Sequence, residues 1–253
     1  MRHLSVTLIT LNAQDTIARA IRSVSFADEI IVVDSGSTDE TVSIAKNLGA
    51  KVHLHAFNGY GQQKNYAADL CTHEWILNLD ADEEVTPELA GNIQNLISQK
   101  NAPDLAHICR KNYFCNTWIK HGGWYPDWNA RLYRKNSARW TEPHVHETLQ
   151  LTDGGKSVYL DGALNHFSFP SIESQVERNL RYAGLGAREL LKKRGCRPGL
   201  CSLWLRPLGK FIECYILKLG FLDGVNGLII AINAAHSLFL KYAIARSLRP
   251  VIK

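Results

Sequence analysis

Over its first hundred residues the chain alternates short apolar, strand-like runs with stretches of helical spacing, and no other feature limits its fold so tightly. LSVTLIT (4–10), EIIVVD (29–34), KVHLH (51–55) and EWILNLD (74–80) read as strands. Between them Ile17, Ala20, Ile21 and Val24 recur at helical intervals over 15–24. Ser37 or Thr38 is placed to cap a helix ending near Leu48 before Gly49, and a third helix is expected over 61–71. Pro87 falls where the first turn of a helix running to about Gln99 would put it. The run of β-branched residues in EIIVVD implies burial on both faces. Strands joined by helices of this length pair in parallel through right-handed crossovers. The expected class is α/β, a Rossmann-like, mostly parallel sheet flanked by helices.

Ligands of such sheets lie beyond the carboxyl ends of strands, here 10–12, 34–39 and 80–84, and all three segments are polar. Neither GxGxxG nor GxxxxGK[ST] occurs, which argues against ordinary dinucleotide and P-loop binding. DADEE sets Asp80 and Asp82 two residues apart after an apolar strand, and continued extended geometry would project both to one face. Its crowded carboxylates repel one another and would repel a pyrophosphate still more. A divalent cation, Mg2+ or Mn2+, resolves both conflicts by oxygen ligation. The same residues also suit a solvated helix start, with Glu83 and Glu84 favouring the helix dipole. Asp34, at a strand tip before small residues, is a candidate to accept a hydrogen bond from a pyrimidine N–H or a ribose hydroxyl. Its alternative is a turn or cap residue, a role that suits Asp39 better. Thr10 and Asn12 are expected to line the same crevice.

LITLNAQDTIARAIRSV, IIVVDSGSTDETVSIA and GYGQQKNYAADLCTHEWILNLDADEEV, in that order over about ninety residues, resemble the family 2 inverting glycosyltransferases of GT-A fold. The resemblance implies that Asp34 contacts the donor nucleoside, that Lys64 and Asn65 lie near the nucleotide, and that Asp80 and Asp82 bracket a metal diphosphate. Many members carry paired acids after the second strand, where this chain has Ser35.

Residues 118–140 hold Trp118, Trp124, Trp128 and Trp140, rings that suit a saccharide's C–H faces or simply pack a core. Arg131 and Arg134 in PDWNARLYRK are candidates for phosphate contacts or for surface ion pairs. An inverting transfer needs one carboxylate to take the acceptor's proton. Glu147 in WTEPHVHETL is preferred for this over Asp127, and His146 could add a nitrogen ligand to the metal; ordinary structural hydrogen bonding is the alternative for each. NARLYRK…ARWTEPHVHETL, LNHFSFPSIE and GFLDGVNGL further resemble the bacterial lipopolysaccharide inner-core β-1,4-glucosyltransferases that act on heptose. That likeness implies a UDP-hexose donor, most simply UDP-glucose, and a lipid A–core acceptor at the cytoplasmic face of the inner membrane.

Charge divides the chain. Residues 1–170, the expected catalytic domain, carry 15 Lys/Arg against 19 Asp/Glu. Within them a nucleotide-sugar half to about 100 precedes an acceptor half at 101–170. Residues 171–253 carry 14 Lys/Arg against 5 Asp/Glu and read as helices over 172–194, 207–219 and 225–248. Asn226, Asn233, His236 and Lys241 interrupt the last of these, so a basic amphipathic element on an anionic leaflet is expected rather than a span. A helical appendage with a solvated basic face is the alternative. No nucleic-acid recognition module accompanies the charge. Six cysteines without C-x-x-C spacing, and no secretory signal, suit reduced thiols and a cytoplasmic, peripheral location. Two rivals remain: a sugar nucleotidyltransferase, disfavoured because TLNAQDT follows the first strand where a glycine- and basic-rich loop would belong, and a non-catalytic membrane partner.

Overall fold

The structure, a computed structural model, describes residues 3–141, 147–152, 154–194 and 197–248. It divides into two compact units, residues 1–110 with 127–166, and residues 111–126 with 167–253. The sequence reading keeps 111–126 with the first 170 residues.

The first unit holds β1 (Leu4–Thr10), α1 (Ile17–Ser23), β2 (Glu29–Asp34), α2 (Thr41–Asn47), β3 (Lys51–Leu54), α3 (Tyr60–Leu70), β4 (Trp75–Asp80), β5 (Glu83–Val85) and α4 (Pro87–Ser98). β6 (Leu105–Phe114) enters from this unit and, after β7 (Thr117–Trp118) of the second, β8 (Asp127–Arg134), β9 (Ala138–Trp140), β10 (Leu149–Leu151) and β11 (Ser157–Phe169) follow. Strands β3, β2, β1 and β4 are parallel neighbours in that order, and β8 then pairs antiparallel with β4. The mostly parallel half and its helices are the α/β, GT-A-like class expected. Registers Thr10↔Asp34 and Ile9↔Asp80 bring the carboxyl ends of β1, β2 and β4 into one row.

Local chemistry explains the helix boundaries. The Thr86 hydroxyl caps α4 by accepting from the Leu89 N–H, and Pro87 fills the first turn where no donor is required. Gly49, at φ +84°, follows α2 in the left-handed conformation that glycine adopts without strain. Ser37 and Thr38 do not cap α2, which begins only at Thr41; both are engaged at the strand end, with Asp34 and Asn12. A further correction concerns DADEE. The chain turns at Ala81–Asp82 and returns as β5, antiparallel to β11, so it is neither a continued strand nor a helix start.

In the second unit α5 (Ile172–Arg194) packs against α7 (Gly224–Ser247), and α6 (Leu205–Ile212) also lies on α7. Asn233 donates to Gln175 Oε1 at 2.6 Å, so one polar residue of α7 serves α5 rather than solvent. By length and composition alone, residues 220–247 are long and apolar enough to cross a bilayer, contrary to the sequence reading. Four scattered polar side chains do not outweigh the apolar remainder.

Candidate active site

Alternation along β4 decides which side chains reach the site. Trp75, Leu77 and Leu79 enter the core lined by α1 and α4, so Ile76, Asn78 and Asp80 project from the other face, where α3 packs. There α3 supplies Lys64 and β8 supplies Arg131, both buried. The Arg131 guanidinium donates to Asn78 Oδ1 at 3.0 Å, Asp80 Oδ2 at 2.6 Å and Glu83 Oε1 at 2.5 Å. Glu83 accepts from the Asp80 N–H at 3.0 Å, which draws the turn closed. Arg110 lies 3.4 Å from Glu83 and binds Asp127 through Nε at 2.9 Å and Nη2 at 2.7 Å. Lys64 Nζ donates to Glu147 Oε1 at 2.8 Å, lies 3.8 Å from Asp80 Oδ1 and stands over the Trp140 ring.

Burial would push the Asp80 carboxyl up, but Arg131 and then Lys64 override it and hold it well below the usual carboxylate range. Burial also works against the Arg131 guanidinium. Asp80 and Glu83 reverse that, and its pKa lies above its ordinary value. Asp82, in the turn itself, places Oδ2 3.4 Å from His166 Nε2. The side chains of Asp80 and Asp82 stay 28% and 29% exposed, so both carboxylates remain open to a ligand. Among the described residues no three His, Cys, Asp or Glu side chains converge to hold a metal by themselves. His146 lies outside the described residues.

The strand ends of β1 and β2 are organised differently. Asp34 is fully buried and accepts from Thr10 Oγ1 at 3.0 Å, the Gly36 and Ser37 N–H groups at 2.9 and 2.8 Å, and Ser37 Oγ at 2.5 Å. Asn12, at φ +51°, accepts from the Thr38 N–H at 2.9 Å. Gln63 donates to Ser35 Oγ at 3.0 Å. Thr10, Asn12 and Asp34 thus shape one loop pair, which these hydrogen bonds hold together. Asn65 is committed as well: its amide exchanges two hydrogen bonds with the Trp140 backbone at 2.9 and 3.0 Å and pins β9 to α3. That clamp steadies the β9–β10 hairpin, where Thr141 and Thr148 pair immediately before and after the approach to Glu147.

Arg110, Asn78 and His166 escaped the sequence reading, and Glu83 entered it only as an acid of the crowded DADEE run or of a helix start. Period-two alternation in DADEEV, which puts Glu83 with buried Val85, was the one signal for Glu83. The tryptophans serve several ends. Trp140 is buried beneath Lys64, Trp128 stands exposed edge-on to Tyr159, and Trp124 packs with Phe114 and Phe169. Lys111 and Lys120 both lie over the Trp118 ring.

Residues 5–154 match the family described as "Glycosyl transferase family 2". An uncharacterised glycosyltransferase of Rickettsia typhi is 33% identical over 98% of this chain and 88% of its own length. The lipopolysaccharide core biosynthesis glycosyltransferase LpsC of Rhizobium meliloti is 25% identical over 95% of this chain and 93% of its own. Among solved structures, glucosyl-3-phosphoglycerate synthase of Mycobacterium tuberculosis, in complex with Mn2+, UDP and glucosyl-3-phosphoglycerate, aligns with a TM-score of 0.38 and 26% identity. That alignment covers 45% of this chain and 44% of the synthase.

Proposed function

The chain belongs to glycosyl transferase family 2, and from that premise we propose that it transfers a hexose, most simply glucose from UDP-glucose, to a heptose of the lipopolysaccharide inner core with inversion. The observation that carries this reading is the charge cluster at the end of β4. Asp80, Asp82, Glu83, Asp127 and Glu147 set five carboxylates against the three cations Lys64, Arg110 and Arg131. Asp80, Asp82 and Asp127 in that set stay partly exposed, and Arg110 already holds Asp127, which leaves Asp80 and Asp82. A surplus of two negative charges with two hard oxygen donors fits Mg2+ or Mn2+, which complete their coordination with water and substrate phosphate. Asp80 and Asp82 would hold the cation, whose chemistry there is to neutralise charge on the departing diphosphate.

The remaining steps belong to the chain's own groups. Lys64 is within reach of both Asp80 and Glu147 and can pass to a diphosphate oxygen, freeing Glu147. Glu147 then takes the proton from the acceptor hydroxyl as that oxygen attacks the anomeric carbon and the C–O bond to the diphosphate breaks. Asp127 is the weaker base because Arg110 and Asn129 already hold its carboxylate. Arg131 keeps Asp80 ionised and oriented. The LpsC likeness supports the core acceptor, and a lipid-linked acceptor of that kind would be met at the cytoplasmic face of the inner membrane.

Incubation with a panel of UDP-hexoses and heptose-bearing, truncated lipopolysaccharide, followed by mass spectrometry, tests the reading. One added hexose from UDP-glucose is expected. Transfer only to a different lipid-linked or polysaccharide acceptor would keep the chemistry and overturn the acceptor.

A further inference from the structure

Helix α6 carries its apolar stripe on the outside. None of its residues is buried. Leu205, Leu208 and Ile212 recur at helical spacing and all face solvent, Leu205 67% and Leu208 57% exposed, and Trp204 just before them is 75% exposed. Phe211 is partly covered and pairs with Tyr215, and the helix lies on α7. The stripe therefore does not mark the side that packs on its own unit. Leu217 and Val225, farther along the segment, are exposed as well, and exposed hydrocarbon gathered in one short segment is of the kind that marks a site of interaction.

Charge identifies the partner. The segment's two carboxylates are neutralised or tied within the unit. Lys210 at 3.1 Å and Lys218 at 2.5 Å hold Glu213, while the His121 ring at 3.0 Å and the Lys120 and His121 N–H groups hold Asp223. Arg197 and Arg206 are exposed and face no carboxylate within salt-bridge distance among the described residues; Arg206 lies over the Tyr242 ring. Hydrocarbon flanked by guanidinium, with no acid left to repel an anionic headgroup and an exposed indole beside it, is the complement of an anionic bilayer.

We propose that residues 200–225, with α6 lying in the interface, dock this protein on an anionic lipid surface, and that α7 is the support behind them rather than the docking element. This deepens the reading of a glycolipid acceptor and rests on it for its purpose.

The test is sedimentation of the full chain with phosphatidylcholine vesicles that contain or lack phosphatidylglycerol, alongside Leu205→Glu/Leu208→Glu and Arg197→Gln/Arg206→Gln variants. The wild type is expected to pellet with the anionic vesicles and to be released by salt. The leucine variant should bind roughly tenfold less, and the arginine variant should lose its preference for phosphatidylglycerol. A thermal shift by UDP with Mn2+, unchanged in both variants, shows that the fold and the donor site persist. Loss of that shift in the wild type would count against the glycosyltransferase reading alone. Equal binding by the leucine variant overturns the docking surface. So does retention of the wild type through an alkaline carbonate wash, which would put α7 across the bilayer. Vesicle-free dimers that the leucine substitutions dissolve would show that a second copy covers the face instead.

Discussion

The two units of this molecule break the usual rule of inside and outside in opposite directions. The first buries ions: Arg131, Glu83 and Lys64 are withdrawn from water at the end of β4, where every charge needs a partner. The second exposes hydrocarbon: Trp204, Leu205 and Leu208 face solvent on a helix with no buried residue. Neither arrangement favours stability by itself. Buried ion pairs scarcely repay desolvation, and exposed leucines gain nothing from folding. On the readings proposed above, each departure answers to what it would meet, a charged diphosphate in one unit and a lipid surface in the other.

The comparison breaks most readily at Glu147. Glu147→Gln is expected to lower kcat by roughly 10²–10⁴-fold while leaving the UDP thermal shift in place. If Asp127→Asn behaves that way and Glu147→Gln does not, the base is misassigned. Arg131→Met strands Asp80 and Glu83 without their shared cation, and urea unfolding should register a loss of about 3–5 kcal/mol. A loss below about 1 kcal/mol would mean that the cluster is well solvated and the contrast between the units is overstated.

Glu29 sharpens the same point away from the site. Burial opposes its ionisation, but Ser5, Thr72 and Lys51 more than compensate and bring it from 4.5 to about 2. A depressed carboxyl stabilises the fold above its unfolded value and loses that contribution as pH falls from about 4.5 toward 2. The stability advantage of the wild type over Glu29→Gln should shrink across that window. A constant difference would refute it. The smallest effect belongs to the second unit: Leu208→Glu should change unfolding stability by no more than about 0.5 kcal/mol, because more than half of the residue faces solvent.

What could be read from the sequence follows the range of the interactions. The 172–194 helix, the Pro87 start and the alternating strands depend on neighbours a few residues away, and they stand where periodicity puts them. The row of polar strand ends was legible because parallel direction follows from the crossovers, and ligands of such sheets sit beyond the carboxyl ends. The turn at Ala81–Asp82 was not, because it is closed by Glu83, and Glu83 is stabilised by Arg110 and Arg131, which β6 and β8 return from far along the chain. Asp34 and Asn65 illustrate another limit. Residue type marked both as polar and well placed, yet the hydrogen bonds that commit them to their own loop and to Trp140 are tertiary facts. In α7, polar residues read as interruptions of a span include Asn233, whose partner is Gln175 on α5.

Calorimetric titration of UDP into the wild type and Asp82→Ala, each with Mn2+ and with excess chelator, bears most directly on the buried charge cluster as a cation–diphosphate site. Binding should appear in the wild type with Mn2+ and fall at least about tenfold on chelation or on loss of the Asp82 carboxylate. Equal affinity in all four titrations would contradict it.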